Sequence, residues 1–263
     1  MGWKALLWDV DGTLAETEVH GHRRAFNQAF QEAGLPWRWD EATYRQLLAI
    51  SGGRERIRHF LEHHQTGSVS ASLVESLMEA KQEAYATLAR SGELPLCPGV
   101  KRLVSEVALH GLPQALVTTS SRSAVAALLQ GHSPVFADAF AFWICGEDVR
   151  AKKPSPEGYQ LALNRLNLAS TEVLALEDSP QGLAAARGAT LPCLLTLGDH
   201  AVDGDPAVPS EASPWWQGAR AAVNHLGDDQ KPTTVLLGPS CQEGRVTFSW
   251  LEHLKGGEWA DLH

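Results

Sequence analysis

The sequence predicts an α/β protein: a doubly wound parallel sheet of Rossmann-like type with an inserted all-helical domain. Three observations predict it. Short apolar runs of strand length recur at residues 4–8, 114–118, 139–144, 172–176 and 191–197, with helical patterns between them, and that alternation builds a parallel sheet covered on both faces. The block 15–92 between the first two runs has apolar residues at helical spacing only. Polar clusters able to do chemistry sit just after four of the runs, where ligands of such sheets bind.

The elements follow in order. Residues 4–8, KALLW, make a buried strand that runs into an acidic, Gly-containing turn. Ala25, Phe26, Ala29, Phe30 and Ala33 then share one helix face, which Gly34 and Pro36 bring to an end. Asp40 can N-cap a helix carrying Tyr44, Leu47 and Leu48, and after Ser51-Gly52-Gly53 the residues Ile57, Phe60, Leu61 and His64 recur at helical spacing. Ser72 and Glu75 fit a capping box for a helix with Leu73, Leu77, Ala84, Tyr85 and Leu88 inward, closed by Ser91-Gly92. Pro98-Gly99 opens a helix to about His110, and the strand Gln114–Thr118, another helix and the strand Ala139–Ile144 come next. Ser155-Pro156 starts a helix with proline at its first position. The strand Glu172–Leu176, a helix from Ser179-Pro180 to Gly188 and the strand Leu191–Leu197 complete the pattern. Residues 198–214 read as a surface loop, Trp215 and Trp216 as exposed residues of a short helix, and Val235–Leu237 as an edge strand. The expected domains are 1–14 plus 93–263 as catalytic core and 15–92 as helical cap.

Composition narrows the function. The 263 residues are 44% apolar and 20% charged, as in an ordinary soluble globular protein. Lys plus Arg total 22 against 31 Asp plus Glu, a formal charge of −9, which argues against sequence-independent nucleic-acid binding. No apolar run approaches a bilayer span, so no membrane partner is expected. The N-terminus reads as a strand rather than a signal or transit peptide, and the expected compartment is the cytoplasm. Cys97, Cys145, Cys193 and Cys241 form no C-x-x-C pair, and reduced thiols are the simplest reading.

Four clusters carry the chemistry. Asp9-Val10-Asp11-Gly12-Thr13 sets two carboxylates at a strand end, able to divide nucleophile or metal-ligand work from acid–base work. Thr118-Thr119-Ser120-Ser121 offers hydroxyls and backbone N–H groups for a phosphate at a helix start. Lys152-Lys153-Pro154 offers a point charge for a phosphoryl group. Glu177-Asp178-Ser179-Pro180 offers oxygen ligands of the kind Mg²⁺ prefers. Each has a plain alternative: a polar turn, an N-cap, solvated lysines, a helix cap. A fifth pattern, His59-x-x-Glu62-His63, matches an inverted zinc-protease motif, but such short patterns arise by chance and no third ligand accompanies it.

In that order, Asp-x-Asp-Gly-Thr, Thr/Ser, Lys-Pro and Glu-Asp resemble the motifs of haloacid-dehalogenase superfamily phosphotransferases. The resemblance spans 4–14 and 93–197, and it implies a role for each matching residue. Asp9 would attack phosphorus, and Asp11 would protonate the leaving alkoxide and then activate water. Thr118, the Thr119 backbone and Lys153 would hold phosphoryl oxygens. Asp9, Asp178 and the Asp11 carbonyl would hold Mg²⁺, with Glu177 beside them. The superfamily's dehalogenases lack the second aspartate, so Asp11 argues against dehalogenation.

The cap is similar to that of the CbbY-type group, through Ala15-Glu16-Thr17-Glu18, Gly21-His22-Arg23, Ala25-Phe26-Asn27, Trp39-Asp40, Tyr44 and Ser51-Gly52-Gly53-Arg54-Glu55-Arg56-Ile57. Those proteins are xylulose-1,5-bisphosphate phosphatases, linked to Rubisco through its inhibitor rather than by direct binding. The resemblance implies a small sugar bisphosphate as partner, Arg54 on the distal phosphate, and Glu16, His22 and Tyr44 at the sugar hydroxyls. Against it stand a solvated helix face for Arg54, Arg56 and Arg58, a surface position for His22, and packing for Trp37, Trp39 and Tyr44. Two other functions keep the same residues: a sugar phosphomutase of the β-phosphoglucomutase kind, and a non-catalytic sugar-phosphate sensor.

Overall fold

The computed structural model describes residues 2–50, 52–64, 70–198 and 216–256. The chain forms two compact units: one of Met1–Ala15, Leu96–Thr118 and Val135–His263, the other of Glu16–Pro95 and Thr119–Pro134. The segment 119–134, expected in the core, groups with the helical block.

The first unit is built on a seven-stranded sheet in the order β3-β2-β1-β4-β5-β6-β7. Its strands are β1 (Ala5–Trp8), β2 (Gln114–Val117), β3 (Phe142–Ile144), β4 (Val173–Glu177), β5 (Cys193–Thr196), β6 (Ala221–Val223) and β7 (Val235–Leu237). All neighbours pair parallel except β6 and β7, so the sheet is doubly wound with one antiparallel edge. β1 lies central, with Leu7 opposite Ala115 on one side and Ala175 on the other. Full burial of β1, β2, β4 and β5 explains why each reads as an unbroken apolar run. Their polar residues, Gln114, Glu177 and Thr196, stand at strand ends; the Gln114 amide oxygen accepts from Trp8 Nε1 at 3.1 Å and its Nε2 donates to the Val104 carbonyl at 3.0 Å.

Among the described residues the helices are α1 (Arg23–Glu32), α2 (Glu41–Leu47), α3 (Gly53–His64), α4 (Ala71–Arg90), α5 (Val100–Leu109), α6 (Arg122–His132), the single turn α7 (Pro134–Ala137), α8 (Glu157–Leu166), α9 (Pro180–Gly188) and α10 (Phe248–Gly256). β6 and α10 were not expected. β6 is three small residues too short to show periodicity, and α10 follows a segment rich in glycine and proline. Trp216 packs against the core rather than standing exposed, while Trp215 and the loop at 199–215 lie outside the described residues. α10 ties back to the start of the chain: Trp3 Nε1 donates to the Leu251 carbonyl at 2.6 Å, and Lys255 Nζ to the Gly2 carbonyl at 2.6 Å.

The second unit holds α1–α4, which share an aromatic core, and α6, which packs on α4. Trp39 meets Phe26, Phe30 and Phe60 at centroid distances of 4.7, 4.9 and 5.1 Å. Asn27 fixes the Trp39 backbone from both sides, accepting its N–H at 2.7 Å and donating to its carbonyl at 2.8 Å. Asp40 caps α2 by accepting from the Thr43 N–H at 2.8 Å. The capping box expected at Ser72 and Glu75 does not form. α4 begins two residues earlier, with Ser70 at its N-cap and the Ser70 hydroxyl bonded to that of Ser72. A π-helical turn, Glu18–His22, leads into α1.

Candidate active site

β1, β2 and β4 end side by side, and their ends deliver the candidate residues. Asp9 leaves β1 with its N–H on the Leu176 carbonyl at 3.0 Å, Thr118 leaves β2 with its N–H on Ile144 at 3.0 Å, and Glu177 is the last residue of β4. Thr118 is buried and Thr119 half-buried in the bend that follows. After Asp9 the chain turns tightly, with Gly12 N–H donating to the Ala15 carbonyl and Leu14 N–H to that of Val10. Gly12 has φ +87°, and a Cβ there would overlap the Asp178 carboxylate. A glycine at this turn thus admits both the left-handed backbone and the close approach of an acidic side chain.

Lys153 binds these ends together. It precedes Pro154 across a cis peptide bond, is 9% exposed, and donates to Asp9 Oδ1 at 2.5 Å and to the Val117 carbonyl at 2.8 Å. Glu177 Oε1 lies 2.6 Å from the same ammonium and accepts the Tyr159 hydroxyl at 2.5 Å. Burial pushes the Asp9 carboxyl up to about 8, reinforced by the charges of Glu177 and Asp11 and opposed by Lys153. Burial alone would lower the Lys153 ammonium, but Asp9 and Glu177 together hold it above the ordinary lysine value. The ammonium is therefore a permanent charge.

The carboxylates of Asp9, Glu177 and Asp178 each present an oxygen within 4.8 Å of the others. Three hard oxygen donors with one lysine beside them fit a small divalent cation. One Glu177 oxygen, Oε2, is buried without a hydrogen-bond partner. It packs against the start of α9, where a Cβ on Gly182 would overlap it. Among the described residues this is the one group placed to hold a metal; His59, Glu62 and His63 form no such cluster on α3, where His63 Nδ1 lies 2.7 Å from the His59 carbonyl.

In the helical unit the candidate residues stand in different surroundings. Arg54 is 43% exposed and ion-paired with Glu75, and Glu16 is exposed. His22 is buried, stacks on Tyr85 at 4.2 Å, and has Nδ1 2.9 Å from Lys81 Nζ. An ammonium donating to Nδ1 leaves the imidazole hydrogen on Nε2. Tyr44 corrects an expectation. It is fully buried, and its hydroxyl donates to Glu18 at 2.5 Å and accepts from Arg56 Nη1 at 2.9 Å, so a sugar hydroxyl finds no exposed partner there. Arg56 is likewise buried rather than solvated, holding the Leu47 and Ile50 carbonyls at 3.1 and 3.2 Å. Sequence reasoning missed Glu18, Arg56, Lys81 and Tyr159. For Arg56 a signal existed, since it stands four residues before Phe60 on the apolar stripe of α3.

The family model of haloacid dehalogenase-like hydrolases matches residues 3–190. This chain belongs to that family. Protein CbbY of Cupriavidus necator is 39% identical over 235 residues, which cover 87% of this chain and 88% of that protein. A phosphoglycolate phosphatase of Yersinia pseudotuberculosis is 33% identical, over 74% of this chain and 82% of that one. Among solved structures, a variant of CbbY from Rhodobacter sphaeroides in complex with xylulose-(1,5)-bisphosphate superposes with a TM-score of 0.68 at 42% identity, covering 74% of this chain and 87% of the other. The haloacid dehalogenase-like chain described here is thus an enzyme, a phosphatase of this family.

Proposed function

We propose that the enzyme is a Mg²⁺-dependent sugar-bisphosphate phosphatase that converts xylulose-1,5-bisphosphate to xylulose-5-phosphate and inorganic phosphate. The observation that carries this reading is the buried Asp9–Lys153 pair beside Glu177 and Asp178 at the end of the central strand, and the bisphosphate complex of the CbbY relative supports the choice of substrate.

Asp9, Asp178 and the Asp11 carbonyl would hold the cation, with Glu177 at its edge. When bound, Mg²⁺ neutralises charge on the phosphoryl oxygens and lowers the repulsion facing an anionic nucleophile. An Asp9 carboxylate oxygen attacks phosphorus while the bond from phosphorus to the sugar oxygen breaks, and Asp11 gives its proton to that oxygen. Water then loses a proton to Asp11 and attacks phosphorus, releasing phosphate and restoring the Asp9 carboxylate. Thr118, the Thr119 N–H and Lys153 hold the phosphoryl oxygens during both steps. Arg54 grips the distal phosphate, exchanging an exposed ion pair with Glu75 that is worth about 0–1 kcal/mol. Glu16 and His22, whose Nε2 is the donor, recognise sugar hydroxyls; Tyr44 supports them from within the cap.

Phosphate release from xylulose-1,5-bisphosphate, measured beside ribulose-1,5-bisphosphate and a glucose phosphate, tests the proposal. Preference for the xylulose compound, lost on chelation and in Asp9→Asn, is the expected result. Release only from generic monophosphates overturns the substrate, and release from none overturns the hydrolytic mechanism.

A further inference from the structure

The Lys153 ammonium has three N–H groups and three acceptors: Asp9 Oδ1 at 2.5 Å, Glu177 Oε1 at 2.6 Å and the Val117 carbonyl at 2.8 Å. It is saturated. A phosphoryl oxygen can gain this lysine only if one of the three partners gives it up. The Val117 carbonyl is fixed backbone at the end of β2. Asp9 is the partner to be vacated, because a carboxylate that must attack phosphorus is a poorer nucleophile while it accepts a short hydrogen bond. Lys153 then remains anchored by Glu177 and Val117.

That anchor depends on a residue outside the family motifs. Tyr159, from the first turn of α8, is fully buried and touches both members of the Glu177–Lys153 pair. Its hydroxyl donates to Glu177 Oε1 at 2.5 Å, and the Lys153 ammonium lies 5.4 Å from its ring centroid. Among the described residues it is the one neutral side-chain donor to the Glu177 carboxylate, whose other oxygen has no partner. Burial, together with the Glu177 charge, raises the Tyr159 hydroxyl well above its ordinary pKa and so keeps the proton in place.

We propose that Tyr159 is a positioning residue of the phosphoryl-transfer site: its hydroxyl fixes Glu177 and its ring underlies Lys153, so that the ammonium passes from Asp9 to a phosphoryl oxygen without leaving the site. This deepens the function proposed above and rests on it.

The test is inorganic phosphate binding by calorimetry, with saturating Mg²⁺, in the wild type and in Tyr159→Phe, alone and with Lys153→Met. Losing one hydrogen bond to a charged group predicts about a tenfold weaker affinity in Tyr159→Phe, with a comparable loss of kcat/KM. In the Lys153→Met background the same change moves the affinity less than about twofold, because the tyrosine acts through the lysine. Replacing Tyr159 by 4-aminophenylalanine returns an N–H donor and restores the affinity to within about threefold. That variant also carries the comparison if the phenylalanine form does not fold. Unchanged phosphate affinity in a folded Tyr159→Phe, an undiminished loss in the Lys153→Met background, or no rescue by the amino analogue overturns this proposal alone. Failure of the wild type to bind phosphate overturns it together with the function on which it rests.

Discussion

Ionising Asp9 inside the protein, 7% exposed and beside Glu177 and Asp11, costs free energy that Lys153 offsets only in part, so this carboxyl links stability to pH. A carboxyl raised on folding contributes stability that is fully present below its unfolded value near 4 and is lost as pH rises toward about 8. Asp9→Asn removes the titration. Without Mg²⁺ it should melt about 3 °C or more above the wild type at pH 8 and level with it near pH 4. A lower melting temperature at pH 8 would contradict the electrostatic reading, and Mg²⁺ should narrow the gap by binding the wild type. The same substitution should lower turnover by about 10³-fold or more, as expected when an essential nucleophile is removed. Arg54→Ala should cost about 10- to 100-fold in kcat/KM on a sugar bisphosphate and little on a small monophosphate, the value of a charge-assisted contact. Equal losses on both substrates would remove Arg54 from the distal phosphate.

At the scale of the element, α9 and α2 show local propensity and local contact in competition. Alanine for Gly182 should favour helix α9 by about 1 kcal/mol on intrinsic grounds. The added Cβ would meet the buried Glu177 carboxylate, which has no room to move without breaking its bonds to Lys153 and Tyr159. Contact should win, and Gly182→Ala should lose phosphatase activity while circular dichroism shows the helix content retained. At α2 the Thr43 N–H holds the Asp40 carboxyl below the ordinary range, so this cap contributes stability above that range and loses it as pH falls through the lowered value. Asp40→Asn keeps an acceptor without a charge and should flatten the acid limb of the melting profile. The strands and the acidic turn were legible because full burial writes an uninterrupted apolar run and the chemistry sits at its end. Arg56 and Tyr159 were not legible as partners, since what each satisfies, the carbonyls at 47 and 50 or the carboxylate at 177, is distant in sequence or lies on a turn without periodicity. The capping box was misread for a plainer reason: Ser70 and Ser72 both suit an N-cap by residue type, and α4 starts after the earlier one, whose side chain makes no capping hydrogen bond.

For the whole molecule, the matched family region ends at residue 190, yet the sheet does not. β6 pairs with β5, Arg102 holds the carbonyls of Leu226, Gly227 and Val246, and α10 clasps Gly2 and Trp3. A chain cut after residue 198 would expose the β5 edge and leave the Arg102 guanidinium without those acceptors. Such a chain should be insoluble, or should melt far below the full chain, when compared by sedimentation and calorimetry. Recovery of a soluble, active fragment would show the C-terminal strands and helix to be dispensable. The formal charge of −9 belongs to this scale too. Under the function proposed above, an anionic substrate would approach against this global field, and the buried Lys153 would be a local cation set against it.

The central position of β1 also sets an order of events during synthesis. β1, which leads into Asp9, leaves the ribosome before its two neighbours, which are encoded at 114–117 and 173–177. At 5–20 residues per second, about 10–35 s pass before both are available. Meanwhile Glu16–Pro95, which makes up most of the helical unit, emerges as one continuous stretch with its aromatic cluster already present. The helical unit is therefore expected to be free to fold before the sheet, with β1 unpaired until β2 and β4 have both emerged.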